Sequence, residues 1–143
     1  MREITFKTAF VIGMMLMIQS CYYEYPPEPV TIDPAKVSFN THVLPILAQN
    51  CALEQCHDGT KKPDLRAEIL FDNVSHAYHD LTVGTLIDGK TENFINTTFP
   101  DESVLLDAIL NGVGGIDMPP DGALTQQQID LIRTWMIKGA HND

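Results

Sequence analysis

Cys51, Cys56, His57 and Met118 are the residues of this 143-residue chain whose types and spacing could do chemistry. The cysteines stand close together in "NCALEQCHDG", the histidine directly follows the second, and the methionine lies much further on in "NGVGGIDMPPDG". Two thiols and an imidazole so placed can form a disulfide or fasten a porphyrin. A bridge across so short a loop would remove little chain entropy, so it would be a weak staple. It would also leave His57 without a task.

Covalent haem would use all three. Thioethers from two cysteines to the porphyrin vinyl groups fix the ring, and a histidine immediately after the second cysteine is carried beneath the iron as its proximal ligand. The usual pattern is C-x-x-C-H. "CALEQCH" widens it, so the residues between the sulfurs must bulge outward if both are to reach one ring edge. An electron-carrying iron also takes a sixth ligand, and a thioether sulfur there stabilises the ferrous state. A methionine on an apolar helix face, such as Met136, is ordinarily core filler. Met118 instead sits among Gly112, Gly114, Gly115, Pro119 and Pro120, whose restricted loop would hold its sulfur toward a ligand site. His76 and His79 in "SHAYHD" are substitutes for that position, or a metal pair with Asp80, although histidines at this spacing ordinarily form a solvated or packing face. His42 and His141 read as surface residues.

The elements that must position these groups are mostly helical. Val43, Ile46 and Leu47 recur at helical spacing over residues 41–50, with Phe39 just before, and Pro45 requires that helix to begin close to it, at about Thr41. The helix would deliver Cys51. Near the end of the chain, Thr125 and Gln128 form a capping box, while Leu124 and Ile129 are spaced as a hydrophobic staple. The inner face of that last helix is Ile129, Ile132, Trp135 and Met136, and Gly139 ends it. Between them, "PDESVLLDAIL" predicts a short helix capped near Asp101 or Ser103, and a further helix is expected from Asp64 to about Ser75. Residues 80–100, broken by Gly84 and Gly89, read as a loop with a small hairpin.

The first twenty residues predict a signal peptide. Arg2 and Lys7 precede the apolar run "AFVIGMMLMI", which is too short to span a bilayer permanently. "MIQSC" resembles a bacterial lipobox, which implies that Cys21 becomes the lipidated first residue of the mature chain. Pro26, Pro27, Pro29 and Pro34 then predict a semi-rigid tether over residues 21–36. The single domain, 37–143, follows. Removing two basic residues and one acidic one with the signal peptide takes the net charge from −10 to −11. Nucleic acid and anionic headgroups are poor partners for such a charge, and a basic protein surface suits better.

From about Val37 to the end, the chain resembles a class I c-type cytochrome domain of the small kind found in exported bacterial lipoproteins. The matching stretches are "VSFNTHVLPILAQNCALEQCHDG", "FPDESVLLDAIL" and "MPPDGALTQQQIDLIRTWMIKGAHND", in the family's order. Departures are the widened cysteine spacing and a longer middle segment. The resemblance implies an all-α fold, a cytochrome c-like helical wrap around one covalent haem c, with Trp135 packed where the first and last helices cross. It implies Cys51 and Cys56 as attachment residues, His57 as proximal ligand and Met118 as distal ligand.

With both axial positions filled, substrate cannot reach the iron. The expectation is therefore an electron carrier and not an enzyme, held in the cell envelope, periplasmic or anchored to the outer membrane through its N-terminal lipid. Its redox partner would be an exported dehydrogenase, a terminal acceptor or another cytochrome. Two rival readings remain: a peroxidase-like haem enzyme with an open iron position, and a haem-free lipoprotein with a Cys51–Cys56 disulfide. No nucleophile and base pair, phosphate-cradling loop or paired carboxylates stands out.

Overall fold

Pro45 shapes the start of the fold. Lacking an N–H, it cannot extend a regular helical ladder backward, and the chain solves this with a wide π-type turn over Phe39–Val43 that runs into α1, Leu44–Asn50, with Pro45 in its first turn. A computed structural model describes residues 32–84 and 94–143. The expected signal peptide, Cys21 and the tether as far as residue 31 lie outside the described residues, as do positions 85–93 of the expected 80–100 loop. The described residues all belong to one compact unit, Thr31–Asp143.

The π turn is capped from two directions. Ser38 Oγ accepts from the Thr41 N–H at 3.3 Å, while the C-terminal residue Asp143 accepts from the Phe39 N–H at 2.9 Å through Oδ1 and from the Asn40 N–H at 3.0 Å through its backbone oxygen. Donors that a helix start leaves unpaired are thus satisfied by the far end of the chain.

After α1 the chain is irregular to residue 68. It then forms a hairpin, β1 (Ile69–Phe71) antiparallel to β2 (Val74–Ser75), before α2, His76–Val83. The expected helix from Asp64 to about Ser75 is therefore corrected. Asp72 and Asn73 both hold positive φ, 43° and 63°, as the two centre residues of a tight hairpin turn. Those are turn formers next to a β-prone Ile-Leu-Phe run, and the turn won. This hairpin is a different one from that expected within 80–100, where positions 85–93 lie outside the described residues. Ser75 starts α2, its Oγ accepting from the Tyr78 N–H at 3.2 Å.

A 3-10 turn at Pro100–Glu102 leads into α3, Val104–Asn111, with Ser103 between them as expected. The last helix, α4, spans Gln126–Ile137. Its capping box is present: the Gln128 N–H donates to Thr125 Oγ1 at 3.3 Å and the Thr125 N–H to Gln128 Oε1 at 2.8 Å. The expected inner face of Ile129, Ile132, Trp135 and Met136 is buried, as is Leu124. Trp135 packs 5.0 Å from Phe39 and 6.5 Å from Tyr78 between ring centroids, and its indole N–H donates to the His141 carbonyl at 2.9 Å. The last helix therefore meets the front of the chain at the π turn.

The described fold is mostly helical with a single two-stranded sheet. One core gathers Phe39, Leu47, Leu81, Leu106, Ile132 and Trp135 from the π turn and all four helices. No described helix is long and apolar enough to cross a membrane.

Candidate functional site

Cys51 ends α1, and the segment after it must turn sharply because the helix has no glycine with which to stop. Gln55 takes up the strain with φ 64°, and the turn closes on itself: the Cys56 N–H donates to the Leu53 carbonyl at 2.9 Å and the His57 N–H to the Cys51 carbonyl at 3.2 Å. Asp58 braces it from the side, accepting from the Gln55 and Thr60 N–H groups at 3.1 Å each. As a result Glu54 and Gln55 are pushed into solvent and Leu53 is partly exposed at the cavity wall, while Cys51, Cys56 and His57 stay half-buried. The widened spacing is absorbed in an outward bulge.

The three inward residues line one cavity of about 370 Å³, a size within the usual ~300–1,000 Å³ range of small-molecule and cofactor sites. Its other walls are largely apolar and come from Leu65, Phe94, Leu105, Ala108 and Ile109, with Lys61 and Lys62 as cations. Met118 lines the same cavity. It arrives on the loop after α3, which needs its glycines. Gly112 holds φ 74° and ψ −178°, a region essentially reserved for glycine, and a Cβ there would stand 2.4 Å from the Ile116 carbonyl oxygen. Val113 and Ile116 then exchange hydrogen bonds of 2.8 and 3.1 Å around Gly114 and Gly115, which sets the direction in which Asp117 and Met118 leave the turn.

The ring of His57 is oriented. Its Nδ1 lies 2.8 Å from the Pro63 carbonyl oxygen. A carbonyl can only accept, so this contact requires the proton on Nδ1 and leaves the lone pair of the neutral ring on Nε2. The backbone is held as well, because the His57 carbonyl accepts from the Leu65 N–H at 2.8 Å. Ligating histidines ordinarily have this kind of outer partner, which fixes the tautomer and strengthens the ligand.

Both thiols are free. Burial first, and the neighbouring Cys56 sulfur second, push the Cys51 thiol up to about 11. Near neutral pH Cys51 is therefore a protonated thiol and not a thiolate, a poor attacking group for disulfide exchange and a poor ligand for a bare metal ion. Among the described residues, no group of three or more His, Cys, Asp or Glu side chains could hold a metal ion.

His76 and His79, the substitutes for Met118, are elsewhere. His76 Nδ1 stands 3.1 Å from Asp64 Oδ2, and His79 Nδ1 stands 3.2 Å from Asp80 Oδ1 with its ring against Phe71. Neither lines the cavity. They belong to a polar cluster in which two buried carboxylates are the centres. Hydrogen bonds from Arg66 hold the Asp64 carboxyl below the usual carboxylate range. At Asp80 burial acts in the opposite sense, but bonds from the Lys62 ammonium and the Asp64 N–H outweigh it and the net shift is downward.

Pro63 and Asp64 were not legible as parts of a site, and Asp80 was read only as a partner of His76 and His79 in binding a metal. Pro63 acts through its backbone carbonyl and Asp64 through its backbone N–H, which no side-chain pattern reveals, and Asp80 lies far along the chain from both sulfurs. The only available signal was Lys62-Pro63-Asp64 lying one short loop after His57. Comparison of the chain with family models, with curated proteins and with solved structures finds no match.

Proposed function

We propose that the chain is a monohaem c-type cytochrome lipoprotein that transfers single electrons in the cell envelope. The observation that carries this reading is the convergence of Cys51, Cys56, His57 and Met118, from two separate loops, on one largely apolar cavity, with the His57 tautomer set by Pro63. The donor set fits haem c: two free thiols that can each add across a vinyl group, an imidazole with its lone pair on Nε2, and a thioether.

When bound, haem supplies a one-electron couple that a side chain cannot. The residues do the rest. Cys51 and Cys56 would hold the ring, His57 and Met118 would ligate the iron, and Leu65, Phe94, Leu105 and Ile109 would shield the group from water. The net charge of −10 favours a partner with a basic docking surface and disfavours nucleic acid. Attachment to a membrane rests on the sequence "MIQSC" and on lipid at Cys21.

The test is the intact mass and visible spectrum of protein coexpressed with cytochrome c maturation machinery. One haem mass added and a reduced α band that survives denaturation would support the reading, and Cys56→Ala should then release the haem or leave it on one thioether. A colourless wild type, made under conditions that mature a control cytochrome, would end it.

A further inference from the structure

The strap from Lys62 to Arg66 lies against His57, and a carboxylate from another element pins it. Asp80, on α2, is 3% exposed. Its Oδ2 accepts from Lys62 Nζ at 2.8 Å and from the Asp64 N–H at 2.7 Å. These two donors belong to the residues immediately before and after Pro63, whose carbonyl is the partner of His57 Nδ1. The other oxygen of Asp80 faces His79 Nδ1 at 3.2 Å.

We infer that Asp80 is a positioning residue for His57: by bonding both neighbours of Pro63 it holds the Pro63 carbonyl on Nδ1 and thereby sets the electron-donating strength of the imidazole. The inference rests on the haem reading for its effect on potential, and on the cavity geometry alone for its effect on the ring.

The physical chain is short. A buried charge-assisted hydrogen bond is stronger than a neutral one, so Asp80 resists the rotation that would swing the Pro63 carbonyl away. A firm Nδ1–H to carbonyl bond makes the ring a better donor at Nε2. A better donor favours the more highly charged oxidised metal and lowers the potential. Loosening the strap should therefore raise it.

A plain charge effect makes a different prediction. Asp80→Asn removes a negative charge and Lys62→Met removes a positive one, so by Coulomb's law alone their potentials move in opposite directions. Both substitutions loosen the strap, so by positioning both potentials rise. The second readout is exchange of the His57 Nδ1 proton with solvent, measured by NMR on the reduced protein and assigned by its absence in His57→Ala. It should quicken about tenfold or more in each variant.

If Lys62→Met lowers the potential, or if the ring proton exchanges at the wild-type rate in Asp80→Asn, Asp80 acts only as a nearby charge and the inference is overturned. Should Asp80→Asn fail to fold, Lys62→Met carries both readouts by itself. The proton-exchange measurement is repeated on protein made without haem maturation. A wild type that never takes up haem then sinks the electron-transfer reading, while the haem-free ring still reports whether Asp80 positions it.

Discussion

The two loops that meet at the cavity are built on different principles. The Cys51–Leu65 segment is tied by a succession of hydrogen bonds: His57 N–H to Cys51, Lys61 N–H to Cys56, Leu65 N–H to His57, and the His57 ring to Pro63. Behind it stand Asp64 and Asp80 with their cations. The Met118 loop has the paired bonds of Val113 and Ile116 and a long one, 3.4 Å, from the Gly122 N–H to the Pro119 carbonyl. Its shape comes mainly from what glycine permits and proline forbids. The histidine side is held by attraction and the methionine side by steric exclusion. A ligand on the first should be hard to displace, and one on the second easy to exchange.

Several substitutions would break or sharpen that contrast. The largest effect is expected at His57: His57→Ala should abolish the low-spin spectrum of the loaded protein, read by visible absorption, because no other described residue lining the cavity offers an imidazole. Met118→Ala should do less. Covalent haem stays, the near-infrared sulfur-to-iron band of the oxidised protein is lost, and the native ferrous form gains carbon monoxide binding. An unchanged near-infrared band would show that the sixth ligand lies elsewhere.

Gly112→Ala comes next. With φ 74° and ψ −178° and a backbone oxygen 2.4 Å from the new Cβ, it should cost about 1–3 kcal/mol in urea unfolding and weaken the Met118 band while leaving haem attachment intact. Attachment lost along with the band would mean that the two loops are not independent.

A pH effect is smaller and is confined to the haem-free protein. The Cys51 thiol rises from an ordinary 9.0 to about 11 on folding. The unfolded chain thus releases this proton first, so stability is at its full value below about 9 and falls as the pH climbs toward 11. Thermal unfolding across that range should show the decline in wild type and a flatter one in Cys51→Ser. Loaded protein should also lack it if the sulfur is a thioether. Least of all is expected from Glu54→Ala at the exposed crest of the bulge, where unfolding should move by no more than about 0.5 kcal/mol.

Some of this was legible before any coordinates. The capping box at Thr125 and Gln128 and the buried face of Ile129, Ile132, Trp135 and Met136 were readable because both are local patterns with a helical period. An outward bulge between Cys51 and Cys56 was expected on the condition that both sulfurs reach one ring edge, and Glu54 and Gln55 are exposed there. The segment from Asp64 to Ser75 misled, because an apolar run there suits a helix or a strand and only the Asp72–Asn73 turn chooses between them. The Met118 loop was identified as a loop by its glycines and prolines, but not the tight Val113–Ile116 turn that aims it.

By itself, then, the sequence determined which groups could carry chemistry and which helices stand beside them, since residue type and periodicity are properties of short stretches of chain. Only the tertiary structure decided that Met118 shares a cavity with His57 and that His76 and His79 serve buried carboxylates instead. It also decided that Asp80 bonds both neighbours of Pro63, the residue whose carbonyl faces the His57 ring. Each of these is a contact between residues far apart in the chain. Such contacts are selected by the burial of the whole core and by the need to pair every charge taken out of water.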